Sequence, residues 1–233
     1  MQEIHDLQRQ IITKLLQKPL PQRYSELQIP GVDNDLFNYH LQILVKKEFL
    51  TKKDSHYQLS ERGKQFASKM NAQGIPQQLF KNSVALAVFR NNYTELLVQK
   101  RLRSPFYGDL TSVAGKILLG ESIVSAARRK LLEETNLAAQ FTFIGVLRSI
   151  KRNSRNELLE DTFYHYCVSH DPVGVLQERN EFGENYWMTP KDFLANLQTN
   201  QDYGPEDTTV WKRICKRQLS PFIIEQEYLV KHY

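Results

Sequence analysis

The sequence predicts an α/β protein of the α+β kind in two domains. A small helical domain with a short hairpin spans residues 1–72, and a larger mixed-sheet domain with C-terminal helices spans residues 81–233. Three observations carry this. Helical apolar stripes fill the first 70 residues, interrupted by Pro19, Pro21 and Pro30-Gly31. NAQGIP, at 71–76, combines Gly and Pro between two patterned regions and reads as a linker, set at residues 73–80. Beyond it, strand-length apolar or alternating runs surround one long amphipathic helix.

The elements follow in order. Ile4, Leu7, Ile11 and Leu15 keep one helical face, and Pro19 with Pro21 ends that helix. A short second helix fits residues 23–27. Asp33 is a good N-cap for a third helix to about Glu48, with Phe37, Leu41, Leu44 and Val45 toward the core. Asn34, Asn38, Gln42 and Lys46 form a polar stripe on the same helix. Residues 49–51 and 56–59 alternate like two strands around a turn at 52–55. Ser60 caps a further helix to about Met70.

In the second domain, residues 83–90 and 95–100 read as a hairpin through Asn91-Asn92. The stretch from Gly115 to Leu137, GKILLGESIVSAARRKLLEETNL, reads as a glycine turn, a loop and an amphipathic helix. Ile123, Val124, Ala127, Leu131 and Leu132 face its core. Residues 139–149 and 161–169 are strands, with the polar, basic KRNSRNE at 151–157 as the turn between them. Thr189-Pro190 with Asp192 starts a helix, and Ser220-Pro221 starts the last one.

Composition narrows the function classes. The net charge of +5 permits a nucleic-acid partner without demanding one. Cys167 and Cys215 are too few for a zinc site and read as ordinary thiols. MQEIHDLQRQ has no apolar signal core, and the longest apolar run, near residues 84–89, is far too short to span a membrane. The expectation is a soluble, cytoplasmic protein with no membrane partner.

The chemistry concentrates at the end of the amphipathic helix. Glu133 and Glu134 sit where the helix dipole is negative, an arrangement that asks for a cation. Arg129 lies one turn before Glu133 and Lys130 one turn before Glu134. This spacing resembles the Nudix box: Gly, five residues, Glu, seven residues, then Arg-Glu-apolar-any-Glu-Glu-any-Gly-apolar. Gly115, Glu121, Arg129, Leu131, Glu133, Glu134 and Leu137 match. Lys130 stands where the family has the first Glu of its Arg-Glu pair. Asn136 stands where it has Gly, and Asn is the next-best residue for a left-handed helix cap.

The resemblance covers residues 81–197. It implies an α/β/α sandwich with a mixed sheet, and magnesium-assisted cleavage of a diphosphate linkage in a nucleoside diphosphate joined to another group. It places the Gly115 carbonyl, Glu133 and Glu134 at the metal, with Glu121 and Arg129 supporting the catalytic geometry. Gln99-Lys100-Arg101 lies where the family has a Gln-x-Arg motif, so Arg101 and Arg103 are expected to meet ligand phosphate. EFGENYW, at 181–187, matches a family tendency to place Glu before a strand Trp. Glu181, Glu184, Glu160 and Asp161 are unranked candidates for a general base. Lys130 works against all of this. A charge reversal beside the metal costs several kcal/mol, on the order of a hundredfold in affinity.

In the first 70 residues the order helix, helix, helix, hairpin, helix resembles winged helix-turn-helix regulators. That resemblance implies double-stranded DNA as partner and a homodimer. Asn38, Tyr39 and Gln42 would face base edges, and Lys46, Lys47, Lys52 and Lys53 phosphates. The stretch is weakly basic, with 11 Lys and Arg against 8 Asp and Glu. Three readings follow, the last of them a protein-interaction module with no ligand. In the first, the protein is a transcriptional regulator whose Nudix-type domain binds a nucleotide-type ligand, with magnesium held weakly or lost. In the alternative, it is an active magnesium-dependent hydrolase.

Overall fold

A computed structural model describes residues 4–17, 20–67, 80–103, 106–200 and 202–231. The chain divides into two compact units between residues 79 and 80. The expected linker at 73–80, residue 80 apart, lies outside the described residues, as do Pro19 and the expected helix end at Met70.

The first unit runs α1 (Asp6–Gln17), β1 (Gln22–Arg23), α2 (Tyr24–Leu27), α3 (Asn34–Lys46), β2 (Leu50–Lys53), β3 (His56–Leu59) and α4 (Glu61–Ala67). Asp33 caps α3, one carboxylate oxygen accepting from Asp35 N at 2.9 Å and Leu36 N at 3.2 Å. Leu7, Ile11 and Ile12 of α1 bury against Phe37, Leu41 and Leu44 of α3 and against Phe49, Leu50 and Tyr57. The turn is tighter than the sequence suggests. Lys52 and Lys53 belong to β2, paired with Tyr57 and His56. β1 is an addition, pairing with β3 into a sheet ordered β1-β3-β2.

The second unit begins with β4 (Lys81–Arg90), β5 (Glu95–Arg101), β6 (Leu110–Thr111) and β7 (Ala114–Lys116), followed by α5 (Ile123–Thr135). Next come β8 (Leu137–Ala138), β9 (Thr142–Arg152), β10 (Leu158–His170), β11 (Val173–Gly174) and β12 (Gly183–Met188). The unit closes with α6 (Pro190–Thr199), α7 (Pro205–Cys215) and β13 (Phe222–Leu229). One mixed sheet is ordered β12-β5-β4-β10-β9-β13, with β6 beside β5 and β7 beside β4. β10 runs parallel to β4 and β13 parallel to β9. β8 and β11 form a small separate pair.

The side chains of β4 explain the layers. Val84, Leu86 and Val88 pack with Ala126, Ala127 and Leu131 of α5. Ala85, Ala87 and Phe89 pack on the other face with Phe193 and Leu197 of α6 and Val210, Trp211 and Ile214 of α7. A strand buried on both faces reads as an unbroken apolar run, as residues 84–89 do. The unit is therefore an α/β/α sandwich, α5 on one face and α6 with α7 on the other.

Four expectations change. Ser220-Pro221 does not start a helix. Residues 222–229 alternate in burial, and pairing with β9 takes up their backbone groups. α7 was not foreseen, although its start is marked by Pro205 and by Asp207, whose carboxylate accepts from Gly204 N at 2.9 Å. Lys151 is not in a turn: β9 continues through Arg152, and Lys151 pairs with Glu160 across the sheet. Leu132 is 55% exposed, and Ala126 takes the inward place on α5. Among the described residues, no helix is long and apolar enough to cross a membrane. Cys167 and Cys215 are free thiols, burial pushing them up to about 12 and about 11.

Candidate functional site

The site is assembled where the loop after β7 meets α5. Ser122 caps the helix, its hydroxyl oxygen accepting from Ser125 N at 3.1 Å. At the other end Asn136 adopts the left-handed conformation, φ 58°, and its N–H donates to Leu132 O. Glu121 holds the loop by accepting from Leu118 N at 3.0 Å. Arg129 grips the same carboxylate, Nε and Nη2 each 2.7 Å from one of its oxygens. Nη1 reaches both Glu133 oxygens at 3.2 Å, and Nη2 donates to Lys116 O at 3.0 Å. One planar guanidinium thus ties β7, the loop and the helix together. It holds the Glu121 carboxyl at about 2, with help from the Leu118 N–H.

Lys130 occupies the centre. Its ammonium lies 2.8 Å from Glu134 and 3.1 Å from Glu133, and 5.1 Å from the centre of the Phe182 ring. Its methylenes run against the Gly115 backbone, where an added Cβ would fall 1.9 Å from Lys130 Cε. Only glycine permits that approach. Burial opposes the lysine's charge, but the Glu134 and Glu133 carboxylates outweigh it and raise its pKa. Burial also pushes Glu133 up, and Lys130 with Arg129 more than reverses this.

Glu134 is fixed from the far side. Its second oxygen accepts from Gln99 Nε2 at 3.2 Å. Its backbone oxygen accepts from the side-chain amides of Asn180 and Asn185, each at 2.6 Å. Sequence reasoning missed both asparagines. They lie in and just before EFGENYW, where the carboxylates drew the attention.

The donor set does not fit a divalent cation. Magnesium needs oxygens at about 2.1 Å in octahedral array. Here an ammonium takes one oxygen of each carboxylate, Arg129 and Gln99 reach the others, and the lysine methylenes fill the approach to Gly115. Among the described residues, no group of three His, Cys, Asp or Glu side chains is placed to hold a metal.

The candidate bases are dispersed. Glu181 pairs with Arg103 at 2.5 Å, and Arg103 stacks over Phe182. Glu184 pairs with Arg179 at 3.3 Å. Asp161 and Glu160 are adjacent on β10 and turn to opposite faces. Asp161 bonds Arg148, while Glu160 faces Lys81 and Lys151. Beside Gly115 and Lys116 opens a cavity of about 290 Å³, its wall including Arg101, Lys151, Glu160 and Tyr164.

In the first unit, Asn38, Tyr39, Gln42 and Lys46 are exposed on α3 and line one shallow hollow. Lys52 and Lys53 are exposed on β2. His40 is a packing residue. It is buried, stacked on His5 at 4.2 Å between ring centres and 3.3 Å from Gln8 Nε2.

A model of the NUDIX domain matches residues 79–207. Among solved structures, a MutT protein from Bacillus halodurans aligns with a TM-score of 0.54 at 14% identity, covering 66% of this chain and 94% of that one. The NUDIX domain of Shewanella oneidensis NrtR, solved with ADP ribose, aligns with a TM-score of 0.50 at 15% identity, covering 69% of this chain and 99% of that one. At these identities the likeness is one of fold. No curated protein matches the chain.

Proposed function

The chain belongs to the NUDIX family, its family domain spanning residues 79–207, and on that premise we propose that it is a transcriptional regulator. The NUDIX domain binds a nucleoside-diphosphate-type ligand without the family's hydrolytic turnover, and the N-terminal unit binds double-stranded DNA as part of a homodimer. One observation carries the loss of turnover: the Lys130 ammonium sits between Glu133 and Glu134. Glu121 and Arg129 keep the loop and helix in the geometry of the box, and the two carboxylates hold a lysine in place of magnesium.

The ligand class is supported by the family and by the ADP ribose bound to the NrtR domain. Arg101, on the cavity wall, and Arg103, paired with Glu181, are assigned to ligand phosphate, Arg103 exchanging Glu181 for it. DNA binding is supported by the order of α1 to α4 with the β2–β3 hairpin, which resembles a winged helix-turn-helix. Asn38, Tyr39 and Gln42 on exposed α3 are assigned to base edges, and Lys46, Lys52 and Lys53 to phosphates.

The alternative, a working hydrolase, is favoured by one observation, the complete Glu121–Arg129–Glu133 network. A magnesium-dependent hydrolysis screen over nucleoside diphosphate compounds separates the two. The regulator gives no turnover above background, together with specific DNA binding that a compound of the panel shifts. Turnover that Glu133→Gln abolishes overturns this proposal in favour of the hydrolase.

A further inference from the structure

The cavity beside Gly115 contains a charged side chain that the function above leaves unused. Lys151 lies in register with Glu160 of β10 and Tyr228 of β13, on the sheet face covered by α6 and α7. Its side chain is 9% exposed. Its ammonium is 3.5 Å from Glu160, 4.6 Å from the Phe106 ring centre and 5.7 Å from that of Tyr164.

Glu160, also 9% exposed, is shared. Lys81 stands 3.4 Å away, and the Thr162 hydroxyl donates to it at 2.9 Å. Two cations therefore divide one carboxylate, both at distances longer than the roughly 2.8 Å of a charge-assisted hydrogen bond. A buried charge is costly unless it is both paired and hydrogen-bonded.

Three other polar side chains of the cavity wall have partners of their own. One Asp207 oxygen accepts from Gln226 Nε2 at 2.7 Å and from Gly204 N at 2.9 Å. The Tyr203 and Tyr228 hydroxyls donate to backbone carbonyls, each at 3.2 Å. Burial opposes the Lys151 charge, but the surrounding Tyr164, Tyr228, Glu160 and Asp207 keep it protonated. The cavity thus presents a protonated ammonium, loosely paired with Glu160 and hydrogen-bonded to the Tyr164 side chain, beside the Phe106 ring.

We infer that Lys151 is the subsite for an anionic group, a carboxylate or a phosphate, borne by the moiety joined to the nucleoside diphosphate. This rests on the ligand class proposed above and deepens it. The anion takes Lys151, and Glu160 stays with Lys81 and Thr162. The rings of Phe106 and Tyr164 cover the apolar face of the group that carries it.

Matched ligands test this by titration calorimetry. UDP-glucuronate against UDP-glucose isolates a carboxylate, and ADP-ribose with a further terminal phosphate against ADP-ribose isolates a phosphate. The wild type should prefer the more anionic member of at least one pair by about tenfold or more, the worth of one hydrogen bond to a charged group. Lys151→Gln should abolish that preference. Glu160→Gln, which removes the competing carboxylate, should strengthen anion binding. A purely structural lysine would not produce that gain.

Equal affinity within both pairs, or a preference that survives Lys151→Gln, overturns the inference. Inorganic phosphate alone separates the two readings. If no nucleotide binds, but phosphate raises the melting temperature of the wild type and not of Lys151→Gln, the anion subsite stands and the nucleoside-diphosphate class falls. If phosphate has no Lys151-dependent effect either, both fall.

Discussion

Lys130→Glu reverses the charge at the centre of the cluster. Lys130 and Glu134 are 2.8 Å apart, their side chains 12% and 5% exposed. Removing one partner of such a buried pair costs about 3–5 kcal/mol. Glu133, at 41% exposure, adds little. With about 2–4 °C lost per kcal/mol in a unit of this size, a neutral Lys130→Met should lower the melting midpoint by roughly 6–20 °C. Lys130→Glu sets a third carboxylate against the other two and should lie lower still in EDTA.

Magnesium then separates the proteins. A site at a hundred times its Kd gains about 2.7 kcal/mol, or roughly 5–11 °C. Thermal melts in EDTA and in millimolar magnesium should show that recovery for Lys130→Glu and none for the wild type. A wild-type midpoint that rises with magnesium as much as the variant's would refute the claim that the ammonium occupies the cation's place.

Three further outcomes are expected. Glu121 has a folded-state pKa of about 2, below its unfolded value of 4.5. Its stabilisation is therefore present above about pH 4.5 and lost as pH falls toward 2, and Glu121→Gln should flatten acid unfolding in that window. Gly115→Ala puts a methyl group 1.9 Å from Lys130 Cε, so it should destabilise the protein. It should do so by much less in a Lys130→Ala background, a non-additivity that a double-mutant cycle reads. Replacing Lys46, Lys52 and Lys53 together by Gln should weaken DNA binding and reduce the log–log salt slope by roughly 0.9 per lost phosphate contact. An unchanged slope would remove that surface from the interface.

Local signals carried further than distant ones. Asp33, Thr189 and Asn136 mark helix ends through chemistry confined to a single turn, and each cap is found where its residue type requires it. The spacing of Glu121, Arg129 and Glu133 was equally legible, because i,i+4 geometry and one loop bring them together. Lys151 was not, because its place depends on β10 and β13. A lysine next to an arginine and an asparagine looks like a solvated turn until Glu160 and Tyr228 are laid beside it. The Ser-Pro at 220–221 is a genuine helix-start pattern, but a sheet edge offered by β9 overrode it. Asn180 and Asn185 carried no signal at all. Their task is to hold a carbonyl on a helix about 50 residues earlier, and only the fold makes that relation.

The Arg129 network has an evolutionary consequence. β7, the loop and α5 are joined by the Arg129 guanidinium rather than by a metal ion, so the architecture does not depend on the reaction. Catalysis can lapse in such a scaffold while the protein stays above its folding threshold and open to selection for binding alone. The return path is short, since lysine and glutamate codons differ only in their first base.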